Sequence, residues 1–173
     1  ASNLSSDKGI SVAVGKTLTL TGGTLGDDIV AGGETAIAGE VSSAKNISSS
    51  VAVKEGGIFT NSGNVYGPLT NEGTFNNTGV LSGAVNNSGT MNTTFDGISD
   101  ITRSGGAGLS NSGTLNISGN NSMLGGQSIN NAGGTINLTG DYTADWEKLS
   151  VSAAALEVAG GKLDATGSTL TLL

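Results

Sequence analysis

The residues able to do chemistry in this chain are few, and they are carboxylates. Asp27 and Asp28 are adjacent, and Asp96 and Asp100 stand four apart with Arg103 close behind. Paired acids can do general acid–base work on a glycosidic bond when they converge on one linkage. The plainer reading of both places is a set of solvated loop charges. Asp27-Asp28 is an unspecific calcium ligand set, because the Gly-Gly-x-Gly-x-Asp repeat of calcium-binding coils does not occur. The chain has no His and no Cys. A Ser-His-Asp triad, a Cys nucleophile, a zinc finger and an Fe–S cluster are thereby excluded. No catalytic, cofactor-binding or metal-binding residue is expected, and no enzyme activity.

Charge narrows the partners. Lys and Arg number 7, Asp and Glu 14, and the formal net charge is −7. Nucleic acid needs clustered cations, and an anionic membrane surface needs a basic patch. Neither is present, so no nucleic-acid and no membrane contact is expected. There is no apolar run long enough for a membrane-spanning helix. Between Arg103 and Asp141 the chain carries no charge, and between Glu55 and Asp96 it carries only Glu72. The middle of the chain is thus neutral and rich in Asn, Ser, Thr and Gly.

The elements that would position such a surface repeat. Residues 58–73 align without gaps on residues 74–89: Phe59 matches Phe75, Val65 matches Leu81, and Leu69 matches Val85. A third copy begins at Thr90-Met91 and decays, with Ile101 and Gly105 in phase. A second pair relates residues 109–119 to residues 129–140, offset by 20 with one extra Gly. The shared unit is Asn-x-Gly followed by an apolar residue. It places corners at Asn61/Gly63, Asn71/Gly73, Asn77/Gly79, Asn87/Gly89, Asn111/Gly113 and Asn131/Gly133.

Such repeats read as an all-β parallel β-helix (a β-solenoid) of about 16 to 22 residues per coil. Val, Ile, Leu and Phe of each unit would face a thin core. The corner glycines are expected at positive φ. Asn repeating in register can stack as a hydrogen-bonded ladder. An antiparallel sandwich is the competing fold, but sandwich strands have no reason to repeat their corners. Residues 1–173 form one domain in this reading. Residues 141–148, which hold Trp146, break the pattern and are expected as a loop or short helix over the coils. Thr17-Leu-Thr19-Leu-Thr21 has the Thr-x-Thr form of ice-binding rows, but the following coils do not carry it on.

The Asn-Ser-Gly-Thr-Leu, Asn-Glu-Gly-Thr-Phe and Ala-Gly-Gly-Glu-Thr-Ala-Ile units resemble the passenger domains of bacterial autotransporter adhesins. The resemblance covers about residues 30 to 140. It implies a right-handed β-helix that is a segment of a longer passenger, extracellular on the surface of a Gram-negative cell. It implies adhesion to a host matrix or cell-surface molecule, or self-association with another copy in clumping and biofilm. The missing cysteines suit a chain that crosses the periplasm unfolded. No ligand-binding motif of the family is present. A polysaccharide-processing β-helix enzyme and a plain spacer stalk are the alternatives.

Overall fold

The computed structural model describes residues 3–6, 8–30, 32–103, 105–119, 121–123, 127–131, 133–139, 141–144, 156–158, 162–164 and 169–172. The chain is a β-solenoid, and all the strand pairs among the described residues are parallel. Short alternating apolar runs give strands of three to five residues, such as Leu69–Asn71 and Thr74–Asn77. Each is too small to stand alone and pairs with the coil before and the coil after.

A coil has three faces. The first is built by Ser50–Val53, Leu69–Asn71, Val85–Asn87 and Leu109–Asn111. The second is built by Ile58–Asn61, Thr74–Asn77, Thr90–Thr94, Thr114–Ser118 and Thr135–Thr139. Near the N-terminus the strands Thr17–Leu25 and Glu34–Ser43 turn the corner and serve both faces, with a register irregularity between Leu20 and Gly22. The third face is a column of single bridges through Ile10, Ile29, Ile47, Val65 and Leu81.

Register makes the core a set of columns. Val41, Phe59, Phe75, Met91, Leu115 and Ile136 stack inward on the second face. The rings of Phe59 and Phe75 stack with centroids 5.4 Å apart at 20°. The first face stacks Thr35, Val51, Leu69, Val85 and Leu109. All of these are buried.

The Asn ladders form at two buried corners. Asn71 Nδ2 donates to Asn87 Oδ1 at 2.6 Å, Asn87 to Asn111 at 2.6 Å, and Asn111 to Asn131 at 2.8 Å. On the second face Asn61 donates to Asn77 at 2.9 Å. The second N–H is held by a backbone carbonyl: that of Gly63 for Asn61 and that of Gly79 for Asn77, both at 2.7 Å, and that of Thr90 in the next coil for Asn71, at 2.9 Å. That second bond fixes which way the amide points. All inward donors therefore aim toward the C-terminal neighbour, and each ladder ends on an unpaired acceptor. Asn71 Oδ1 faces the Val53 level and Asn61 Oδ1 faces the Ser43 level, and neither oxygen has a hydrogen-bond partner.

Coil length varies more than the repeats imply. Ladder bonds span 16 residues between Asn61 and Asn77, and 20 between Asn111 and Asn131. Between Asn87 and Asn111 the span is 24, beyond the expected 16 to 22. The excess is an eight-residue α-helix, Phe95–Thr102. The decayed third copy is thus a coil whose third face is replaced by a helix. Thr94 caps it by accepting from the Gly97 amide at 3.2 Å, and Phe95, Ile98 and Ile101 seal the core. Ile101, expected in strand phase, is on this helix. The step from Thr135 to Lys162, 27 residues on, also exceeds the expected range.

Two further expectations change. Asp141–Ala144 is a strand, paired with Asn121–Met123 and Thr169–Leu172. The loop-or-helix reading fails over those four residues, and 145–148, with Trp146, lie outside the described residues. Of the six corner glycines, moreover, Gly133 alone meets the expectation of a positive φ; the other five, Gly63, Gly73, Gly79, Gly89 and Gly113, have φ below zero. They are glycines because coils meet there. A Cβ on Gly79 would overlap the carbonyl oxygen of Gly63, one on Gly89 that of Gly73, and one on Gly113 that of Gly89. In the last pair the close approach belongs to Gly134, and the extra Gly133 takes φ +88° with open space around it.

The two kinds of glycine should separate in unfolding experiments. Gly79→Ala is expected to cost about 3 kcal/mol or more, since backbone must move. Gly56→Asn, at φ +75° with nothing near, should cost less than about 1 kcal/mol, because Asn tolerates the left-handed region. Urea denaturation of both variants checks this, and equal costs would contradict the close-approach explanation. Ladder ends give a second test. Ser43→Asn supplies a donor to Asn61 Oδ1 and is expected to stabilise by about 1 kcal/mol. Asn87→Ala strips a ladder bond on each side and should cost about 2–4 kcal/mol. A destabilised Ser43→Asn would refute the account of ladder polarity.

Candidate functional site

The carboxylates do not converge. Asp96 and Asp100 lie on the exposed side of the helix, and Asp100 Oδ1 pairs with Arg103 Nε at 3.5 Å with both side chains more than half exposed. A surface pair of this kind contributes little. Asp28 Oδ1 accepts from the Asn46 amide at 2.9 Å, and Asp27 accepts from the Ser6 amide. Both tie turns of neighbouring coils, beside Lys8 and Lys45 in a shallow hollow. Among the described residues no three acids are grouped to hold a metal ion. Thr17 and Thr19 meet Glu34 and Ala36 in the next coil, so that row stops.

What the fold does assemble is the outward side of the second sheet. Inward alternation of Phe75, Met91, Leu115 and Ile136 leaves Thr74, Thr90, Thr114 and Thr135 facing out, in register over four coils. Two residues along each strand stand Asn76, Asn92, Asn116 and Asn137, again in register. Beyond them come Thr94, Ser118 and Thr139. The motif is Thr-x-Asn-x-Thr/Ser, repeated.

Asn side chains of this face form their own ladder. Asn92 Nδ2 donates to Asn76 Oδ1 at 2.7 Å, Asn116 to Asn92 at 2.6 Å, and Asn137 to Asn116 at 2.7 Å. Here donors aim toward the N-terminal neighbour, opposite to the buried ladders. The amides are half-buried and locked to one another, and Thr is stiff at χ1. The row continues N-terminally as Thr60, Ser42 and Thr24. Thr24 and Ser42 hydroxyls lie 3.0 Å apart. From Ile58 to Thr139 no strand of this face carries a charge. Glu40 stands at one end, and Lys162 and Asp164 hold the register positions at the other.

No family model, no curated protein and no solved structure matches the chain. The functional reading therefore rests on this face and on the repeat style. The predicted corner residues are all structural here: Asn61, Asn71, Asn77, Asn87, Asn111 and Asn131 are buried. The outward Asn ladder was not singled out from the sequence. Its signal is the Thr-x-Asn-x-Thr/Ser spacing, in which alternation assigns the two Asn sets of one repeat to opposite sides.

Burial sets the expected difference between the ladders. Asn92→Ala, on the outward ladder, should cost about 1 kcal/mol or less, because water can satisfy the freed amides. It should fall clearly short of the buried Asn87→Ala. Denaturation midpoints of the two variants check the order, and a reversal would mean the outward ladder is a main support of the coil.

Proposed function

We propose that this chain is a segment of a bacterial cell-surface adhesin. It would act as an extracellular rod whose second sheet presents a docking face to a host matrix or cell-surface molecule, or to another copy of itself. The observation that carries this is the uncharged Thr-x-Asn-x-Thr/Ser face, four coils deep and pinned by its own amide ladder. Each Asn and Thr there is both donor and acceptor. Such a face is cheap to desolvate against a partner of like chemistry, since no ion is stripped of water. None of the charges that give the net −7 falls on the strands of this face from Ile58 to Thr139. The repeat style of autotransporter passengers and the missing cysteines support a surface location. The scattered carboxylates speak for docking rather than for polysaccharide cleavage.

Display on the surface of a non-adhering bacterial host tests the reading. Cells are expected to settle faster, or to attach to matrix-coated wells, relative to cells displaying an unrelated rod. In solution, sedimentation velocity should show concentration-dependent association that salt leaves almost unchanged, if the partner is another copy. Cells that neither clump nor attach, with a monomer at every concentration, would overturn the proposal and leave a spacer.

A further inference from the structure

The geometry points to a ligand class: we infer that the second sheet's outward side binds a linear, uncharged polysaccharide laid along the rod, about one sugar unit per coil. This deepens the adhesion reading and rests on it. Two shallow hollows meet on this face at Thr60. One, of about 360 Å³, is lined by Thr24, Glu40, Ser42 and Thr60. The other, of about 200 Å³, runs on past Asn76 and Asn92. The register row Thr24, Ser42, Thr60, Asn76, Asn92 runs through both. Five levels at ~4.8 Å make a track of about 20 Å. An extended pyranose chain advances by a similar step per unit, so successive units meet equivalent side chains.

Chemistry and charge select the occupant. Asn92 spends one N–H and one lone pair in the ladder, which leaves one of each for a ligand. The hydroxyls of the row are likewise donor and acceptor, as are those of a sugar. The ladder holds these groups in place before binding, which lowers the ordering cost. With no cation on the strands from Ile58 to Thr139 and a net charge of −7, an acidic polysaccharide is repelled. Among the described residues Glu40 is the single carboxylate lining the hollows, so the polymer is held and not cleaved. No aromatic ring among the described residues lines the track, so single units bind weakly and affinity must come from length. A second copy of so regular a face would meet it only at the side-chain tips, whereas the hollows at Thr60 suit a narrow chain.

The test uses the purified chain with insoluble cellulose and β-mannan, with polygalacturonate as the acidic comparator, and calorimetry with neutral oligosaccharides of increasing length. Expected are retention on a neutral polymer, none on the acidic one, no released reducing ends, and affinity that rises with length up to about five units. Thr60→Arg blocks the junction of the hollows from an exposed strand position. It should weaken binding at least tenfold while circular dichroism and the unfolding midpoint stay unchanged. Thr60→Val, which removes only the hydroxyl, should weaken it less. The inference is overturned if no neutral polysaccharide is retained, or if Thr60→Arg binds like the parent chain. It is also overturned if Thr60→Arg abolishes self-association in a chain that retains no polysaccharide, since the occupant is then a second copy. The adhesion reading fails separately, when displayed cells neither clump nor attach although the purified chain binds polymer.

Discussion

Everything in this rod follows from one spacing, the ~4.8 Å between a coil and the next. Backbone hydrogen bonds set it: Ile47 N–H donates to the Asn64 carbonyl and Tyr66 N–H to the Ile47 carbonyl, both at 2.8 Å. A residue therefore touches the residues at the same place in the coils on either side, whatever lies between them in sequence. Like prefers like in such a column. Phe59 stacks on Phe75, Ile29 on Ile47, and Asn on Asn. At the corners the same spacing leaves no room for a Cβ, and glycine follows.

The buried asparagines show why a polar column can sit in a thin core. An amide carries a donor at one end and an acceptor at the other, so a column of amides satisfies itself internally. Only the end of the column is left over. Both columns begin where an earlier coil has a different residue, Val53 below Asn71 and Ser43 below Asn61. The unpaired acceptors lie at those two transitions. The backbone carbonyl that holds the second N–H, that of Gly63 for Asn61 and that of Thr90 for Asn71, dictates that the leftover group is an oxygen and that it lies on the N-terminal side.

Repeats made the solenoid legible, because a gapless 16-residue match can only come from stacked equivalents. The ladder corners were legible for the same reason. Why the corners need glycine was not: sequence shows Asn-x-Gly, and both positive φ and close approach fit it. Only the position of the preceding coil decides, and that is a contact distant in sequence. The helix was hidden by the repeat itself. Ile101 fits the strand phase as well as it fits the Phe95, Ile98, Ile101 spacing of a helix face. Thr94 as cap, with Asp96 in the first turn, was the signal against the strand. The outward Asn ladder escaped because the corner motif takes only the second of two adjacent asparagines, Asn77 of Asn76-Asn77. Strand alternation sends one outward and one inward.

Stacking also explains where charge is tolerated. Two like charges in one column would sit about one coil spacing apart and repel. The columns avoid this: Glu40 lies between Gly22 and Ile58, and Glu34 between Thr17 and Ser50. Neutrality of a face can thus be a folding requirement. The inward column passes through Phe75, Met91, Leu115 and Ile136, four different residues that are all fully buried. Directly beside it, the outward columns read Thr four times and Asn four times. The amide ladder accounts for the asparagines. Threonine suits the strand by its branched Cβ and the half-exposed side by its hydroxyl. The buried column of Asn71, Asn87, Asn111 and Asn131 repeats as strictly, so a column keeps one residue type where its side chains bond to their own kind and varies where they only fill space.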